Sequence, residues 1–213
     1  MKERPILFSG PKVRAILSGQ KTVTRRVVKG IDPERLGETM TRAQWQKVNR
    51  ELPVAFGPTY FCPYGQPGDR LWVRESLHYD CEYGHYYAAG GRLGETVYLC
   101  SLFDDVKAQT GYSYDGLLPE RSVPSIHLHR RYSRILLEIV SVRVERLQDI
   151  SEEQALAEGI AHAGDGLFHV EDSQHLADDP RESFASLWES INGDGSWAAN
   201  PWCWAVEFKR VTP

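Results

Sequence analysis

Between Ser133 and Leu147 the chain carries one long apolar run whose phase changes halfway. Ile135, Leu137 and Ile139 share one parity and Val140, Val142 and Val144 share the other. Side chains of a strand alternate between two faces, so a one-residue shift exchanges the faces. A strand that keeps its apolar side inward across such a shift must carry a bulge or curl round a barrel. Other segments supply partners for it. Trp202, Trp204, Val206 and Phe208 alternate with Cys203, Ala205, Glu207 and Lys209 after the Asn200-Pro201 turn, which predicts a closing strand whose aromatic face fills a small barrel. The turn formers from Cys62 to Asp69 deliver the chain into Arg70–Ser76, where Leu71, Val73 and Glu75 share a face. Pro5 to Ser9 has the content of a short strand.

Helices fall between these strands. Pro11 suits a first helical turn, Val13, Ile16 and Leu17 recur at helical spacing, and Ser18-Gly19 stops the helix. Ser151-Glu152-Glu153-Gln154 is a capping box opening a helix that ends at Gly159. Phe184, Leu187, Trp188 and Ile191 mark one buried helix face, broken by Asn192-Gly193-Asp194-Gly195. A further helical patch is predicted near Thr41 to Asn49, capped by Thr41 with Gln44. The class is α+β, with strands in the majority. The 213 residues are read as a single domain, 1–213, with insertions at about 29–60 and 78–123. The second insertion is rich in tyrosine and suggests a strand pair around Tyr86 to Ala88 and Val97 to Leu99. Its tyrosines are expected to pack half-buried under long loops.

Charge bears on the partner. With 25 basic and 29 acidic residues the net charge is −4, which disfavours tracking a long nucleic-acid backbone and favours a small polar ligand. The distribution is uneven: Met1 to Gly30 holds eight Lys or Arg and only Glu3 as an acid, whereas Glu145 to Asp194 holds thirteen acids against Arg146 and Arg181. One end of the fold is expected to be electropositive.

No apolar run is long enough to span a bilayer and no charged-then-apolar leader is seen, so a cytoplasmic protein is expected. Cys62, Cys81, Cys100 and Cys203 form no C-x-x-C pair; even with His78 and His85 nearby they lack the paired spacing of structural zinc sites, and free thiols are expected. His127 and His129 lack a companion ligand at metal-binding spacing.

The chemistry concentrates in Lys21-Thr22-Val23-Thr24-Arg25-Arg26, just after the Gly19 helix stop. If extended, Thr22, Thr24 and Arg26 face one way and Lys21, Val23 and Arg25 the other; a twist after Gly19 would let Lys21 meet Thr24. A threonine hydroxyl is a poor nucleophile until a base takes its proton, and a lysine amine serves once burial and neighbouring cations pull its pKa down. The bland counterpart is a short basic surface strand. Glu75, ending an apolar row, is either at the rim of the core or inside a pocket.

The Pro5-Ile6-Leu7-Phe8 strand, the helix ending Ser18-Gly19, the Lys21–Arg26 stretch, the Pro67-Gly68-Asp69 turn into Leu71-Trp72-Val73 and the late strand and helix together resemble the ASCH superfamily, closest to its longer phage and prophage members. The resemblance implies a PUA-like small β-barrel with short helices between strands and inserted loops. ASCH members are linked to RNA binding, nuclease action and hydrolysis of N4-acylated cytidines. Carried over from the small amidohydrolases, it implies Thr24 as nucleophile, Lys21 as base and Glu75 as acid/base, with Arg26 and backbone amides near Ser9 and Gly10 meeting the substrate. Arg25 stands where those enzymes usually hold an apolar residue. The expected substrate is a nucleoside or base, with RNA as the alternative partner. No metal, cofactor or membrane enters the scheme.

Overall fold

The computed structural model describes residues 1–29, 62–91, 95–99, 118–170 and 174–211. The predicted helix near Thr41, Cys100, and Tyr112 and Tyr114 of the second insertion lie outside them. Among the described residues, ten strands and three α-helices run in the order β1 (Glu3–Leu7), α1 (Gly10–Ser18), β2 (Val23–Val27), β3 (Arg70–Arg74), β4 (Leu77–Asp80), β5 (Gly84–Tyr87), β6 (Leu136–Arg146), α2 (Glu152–Ala157), β7 (Ala161–Gly164), β8 (Leu167–Val170), β9 (Gln174–Ala177), α3 (Pro180–Asn192) and β10 (Trp202–Val211). The fold is mixed α+β with sheet in the majority.

The central sheet has the order β1-β3-β6-β10-β2; β1 and β3 are parallel and the other neighbours antiparallel. Among the described residues it is open, not a closed barrel. Its edge strands are nevertheless brought near each other: Arg26 of β2 donates from Nη2 to the Leu7 carbonyl of β1 at 2.8 Å. Between them Phe8 and Phe208 rings lie 6.2 Å apart, inside a core that includes Ile6, Leu71, Val73, Leu137, Val142 and Trp204. The phase change in β6 is a bulge: Ser141 pairs with Glu207 and Ile139 with Phe208, leaving Val140 unpaired and half-exposed. Ile139 and Val142 both stay buried as a result.

Two further clusters flank this core. One joins Leu147, Ile150, Ala155, Phe184, Leu187, Trp188 and Cys203, packing α2 and α3 on the sheet. The other, Leu77, Tyr87, Leu99, Leu118, Val123, Leu128 and Tyr132, lies in and beside the second insertion. The predicted pairing there is a bridge between Tyr86 and Tyr98, and β5 also forms a hairpin with β4. A three-stranded sheet, β7-β8-β9, occupies the stretch between the Gly159 helix end and α3. Its strands are only four residues each and largely exposed, too short and too polar for alternation to register.

The turn that presents the Lys21 stretch is specified locally. Gly19 takes φ 83 in the left-handed region and its N–H returns to the Ile16 carbonyl, closing α1. The Lys21 N–H then bonds Ala15, the Thr22 N–H bonds the Ala157 carbonyl at the end of α2, and the Thr22 carbonyl accepts from Phe208. The start of β2 is thus stitched to α1, α2 and β10 together.

Candidate active site

A cavity of about 530 Å³ opens beside β2. Thr24, Arg25, Arg26 and Val27 line it from β2, with Lys12 from α1, Tyr64 from the turn before β3, Glu158 from the end of α2, Phe184, Leu187 and Trp188 from α3, and Trp204 from β10. Both faces of β2 contribute because it is an edge strand. The volume suits a small planar ligand, and Tyr64 and the tryptophans offer rings for stacking.

Lys21 is 2% exposed and Thr24 and Glu158 are each 4% exposed. The Lys21 ammonium donates to the Val23 carbonyl at 2.7 Å, the Glu158 carbonyl at 2.7 Å and Glu158 Oε2 at 2.6 Å. Three acceptors take its three protons, and one of them is a carboxylate. Burial pulls the Lys21 pKa below the usual lysine value; Glu158 opposes this, and Arg26 and Arg25 add to it. The depression expected from neighbouring cations is present, with desolvation as the larger cause.

Glu158 is also met by Arg25, whose Nη1 lies 3.3 Å from Oε1; Arg25 Nη2 reaches Glu145 Oε1 at 2.5 Å and Gln154 Oε1 at 2.9 Å. Arg25 is buried yet matched by two carboxylates. Such a pair contributes little net stability but is costly to break from one side. Arg143 continues the chain of alternating charge, touching Glu145 at 3.4 Å and Glu207 at 2.6 Å.

The resemblance would place Glu75 beside Lys21 and Thr24, but the fold holds it elsewhere. It is buried, but Arg134 grips it through Nε to Oε1 at 2.9 Å and Nη2 to Oε2 at 2.8 Å. The same guanidinium donates to the Gly90 carbonyl and lies 4.1 Å from the Tyr87 ring centroid. Glu75 is absent from the cavity lining. Leu71 and Val73 do face the core as predicted, but β3 ends at Arg74, and the chain then turns toward the second insertion, which supplies Gly90 and Tyr87. The acid that meets Lys21 is Glu158.

Ser9 and Gly10 are also outside the lining. Ser9 is the residue before α1, its carbonyl accepting from Val13, and Gly10 opens the helix. Arg26 does line the cavity, with its guanidinium 5.6 Å from the Phe8 ring centroid.

The position of Glu158 carried a signal. The capping box is present in full, with Ser151 accepting from the Gln154 N–H and the Gln154 side chain accepting from the Ser151 N–H. Glu158 is the residue that caps the other end of α2, where the helix dipole disfavours an anion, and it stands just before Gly159. An acid placed there needs cations from elsewhere. Gly159 takes φ 108, and a Cβ on it would stand 3.3 Å from the Ala15 Cβ and 3.6 Å from the Lys21 Cβ. A glycine therefore lets the end of α2 close on α1 and Lys21.

Four cations of the lining, Lys12, Arg25, Arg26 and Lys29, all come from the basic segment Met1 to Gly30, and the one acid among the described lining residues, Glu158, comes from the acidic segment Glu145 to Asp194. Burial pushes the Tyr64 hydroxyl pKa up, keeping it neutral and able to donate. Among the described residues no three His, Cys, Asp or Glu side chains gather to hold a metal. No helix there is long and apolar enough to cross a membrane. Comparison with family models, with curated proteins and with solved structures found no match for this chain.

Proposed function

We propose that the protein is an ASCH-type amidohydrolase that removes the acyl group from N4-acylated cytosine or cytidine. The observation that carries this reading is the buried Lys21–Glu158 contact of 2.6 Å, made where Thr24 and Glu158 line one cavity of pyrimidine-accommodating size. Relative to the sequence-derived scheme, Glu158 takes the acid/base role and Glu75 leaves it.

The proton inventory closes without an outside base. Transfer of one Lys21 proton to Glu158 leaves a neutral amine beside a neutral acid, a redistribution that desolvation of the ammonium favours. The amine takes the Thr24 proton as the oxygen attacks the acyl carbon, regenerating the ammonium. Glu158 then gives its proton to the departing N4, leaving an acyl ester on Thr24 and a free amino group on the cytosine. The same pair activates water to release the carboxylate and restore Thr24. A developing oxyanion is met by the cationic lining near Thr24, a good donor being worth about 3 to 4 kcal/mol.

Incubation with N4-acetylcytidine, following cytidine release, tests this directly. Wild type turns over, Thr24→Ala and Glu158→Gln do not, and Thr24→Ser retains part of the rate. Full activity in Thr24→Ala removes the nucleophile role. Binding of the modified base without release favours the second reading, a base-binding protein, which draws support from Lys21 spending its protons on Val23 and Glu158 and none on Thr24.

A further inference from the structure

Among the described residues, the cavity lining holds more positive charge than a neutral nucleoside requires. Lys21 and Arg25, the deepest cations, are matched by Glu158 and Glu145. Arg26 is not matched in that way: Nη2 donates to a neutral carbonyl, and its buried Nε has no hydrogen-bond partner among the described residues. Lys29, two residues beyond β2, is exposed and adds a second cation to the same lining. From α3, Trp188 lines the cavity while 5% exposed, and its Nε1 donor also lacks a partner among the described residues. A guanidinium with no carboxylate partner, beside an exposed ammonium in the same lining, favours a group with anionic oxygens. Neither cytosine nor ribose supplies an anion.

We infer, on the deacylase reading above, that the substrate carries a phosphate: an N4-acylated cytidine monophosphate, held through its phosphate by Arg26 and Lys29, with the base toward Trp204 and Thr24. A guanidinium presents the planar fork that phosphate oxygens accept, and an ammonium adds a point charge. Trp204 is only 2% exposed and Lys29 is exposed, so the cavity runs from an aromatic floor to a cationic mouth. A single phosphate fits a net charge of −4 better than a polynucleotide does, since backbone tracking needs many cations.

Two measurements separate this inference from the reading beneath it. In titration calorimetry, cytidine 5′-monophosphate should bind at least about tenfold tighter than cytidine, the size of one charge-assisted contact. In turnover, N4-acetylcytidine 5′-monophosphate should exceed N4-acetylcytidine in kcat/KM by a similar factor, through KM. Lys29→Gln and Arg26→Gln should each bring both ratios toward one; thermal melts confirm folding, and exposed Lys29 is the safer variant. If the nucleotide binds preferentially but neither acylated compound is cleaved, the deacylase reading fails and phosphate recognition stands. Equal binding and equal turnover of the two forms overturn phosphate recognition and leave deacylation intact. A short single-stranded RNA carrying one N4-acetylcytidine, cleaved of its acyl group faster than the mononucleotide, overturns the mononucleotide assignment in favour of RNA.

Discussion

Two carboxylates in this molecule are equally hidden, Glu75 at 2% exposure and Glu158 at 4%, and both are held by cations, yet their surroundings differ in kind. Glu75 is closed off: one guanidinium covers both oxygens, and that guanidinium is itself held by Gly90 and lies against Tyr87. Glu158 divides its oxygens between Lys21 and Arg25 and lines the cavity. A bidentate pair has no proton to exchange with a ligand, because an arginine stays charged. A lysine–carboxylate contact has one proton that either partner can hold. Burial alone therefore does not distinguish a structural ion pair from a chemical one; the identity of the cation and access to a cavity do.

The widest separation between the two regions should appear in activity. Thr24→Ala is expected to lower kcat/KM for N4-acetylcytidine by about 10³-fold or more, as loss of an attacking group does. Glu158→Gln should lower it by about 10²- to 10⁴-fold, the range of a general acid/base. Glu75→Gln should leave kcat/KM of the folded protein within about threefold while costing up to about 3 to 5 kcal/mol of stability, because it strands the Arg134 charge. Steady-state kinetics beside urea unfolding reads both. A Glu75→Gln protein that is stable but inactive would reverse the assignment of the two acids.

The sequence made one side of this comparison legible and hid the other for physical reasons. Elements specified by short-range chemistry were readable: the Gly19 stop, the Ser151–Gln154 box, the bulge in β6, and the apolar face of α3 through Phe184, Leu187 and Trp188, though Ile191, in the last turn of that helix, is exposed instead of buried. The basic segment and the acidic segment were visible as charge asymmetry, and they meet at the cavity. The contact between Lys21 and Glu158 spans 137 positions, and nothing local announces which of many acids closes it. Strand alternation places Glu75 in an apolar row, but alternation says nothing of what lies beyond the strand's end. Its partner Arg134 sits 59 positions on, two residues before the long strand begins. The local clue to Glu158 is weak: an anion at the C-terminal end of a helix, where the dipole disfavours it.

Titration sharpens the comparison next. The unfolded chain keeps its Lys21 proton up to about pH 10.4, whereas the folded chain releases it earlier, since burial lowers the Lys21 pKa. Between those values the unfolded state binds more protons, so the Lys21 contribution to stability rises with pH across that window. The stability of wild type relative to Lys21→Met, from urea melts at stepped pH, should therefore improve as pH climbs from neutral toward 10. A difference that stays flat would mean the ammonium is not strained by burial, and the proton exchange with Glu158 would lose its driving force.

The smallest effect separates two residues of one capping box. Ser151 accepts from the Gln154 N–H, and Gln154 Oε1 accepts both the Ser151 N–H and Arg25 Nη2. Removing either side chain undoes half of the cap, at about 1 kcal/mol each. Only Gln154→Ala also withdraws a partner from Arg25, the guanidinium that shares Glu158 with Lys21. Equal losses in melting temperature with unequal kinetics are therefore expected: kcat/KM unchanged in Ser151→Ala, and lowered a few-fold in Gln154→Ala, because Arg25 loses a fixed contact and Glu158 is held less firmly. Equal kinetics in the two variants would show that Arg25 is anchored well enough by Glu145 and Glu158 alone, and that the helix cap serves α2 without reaching the cavity.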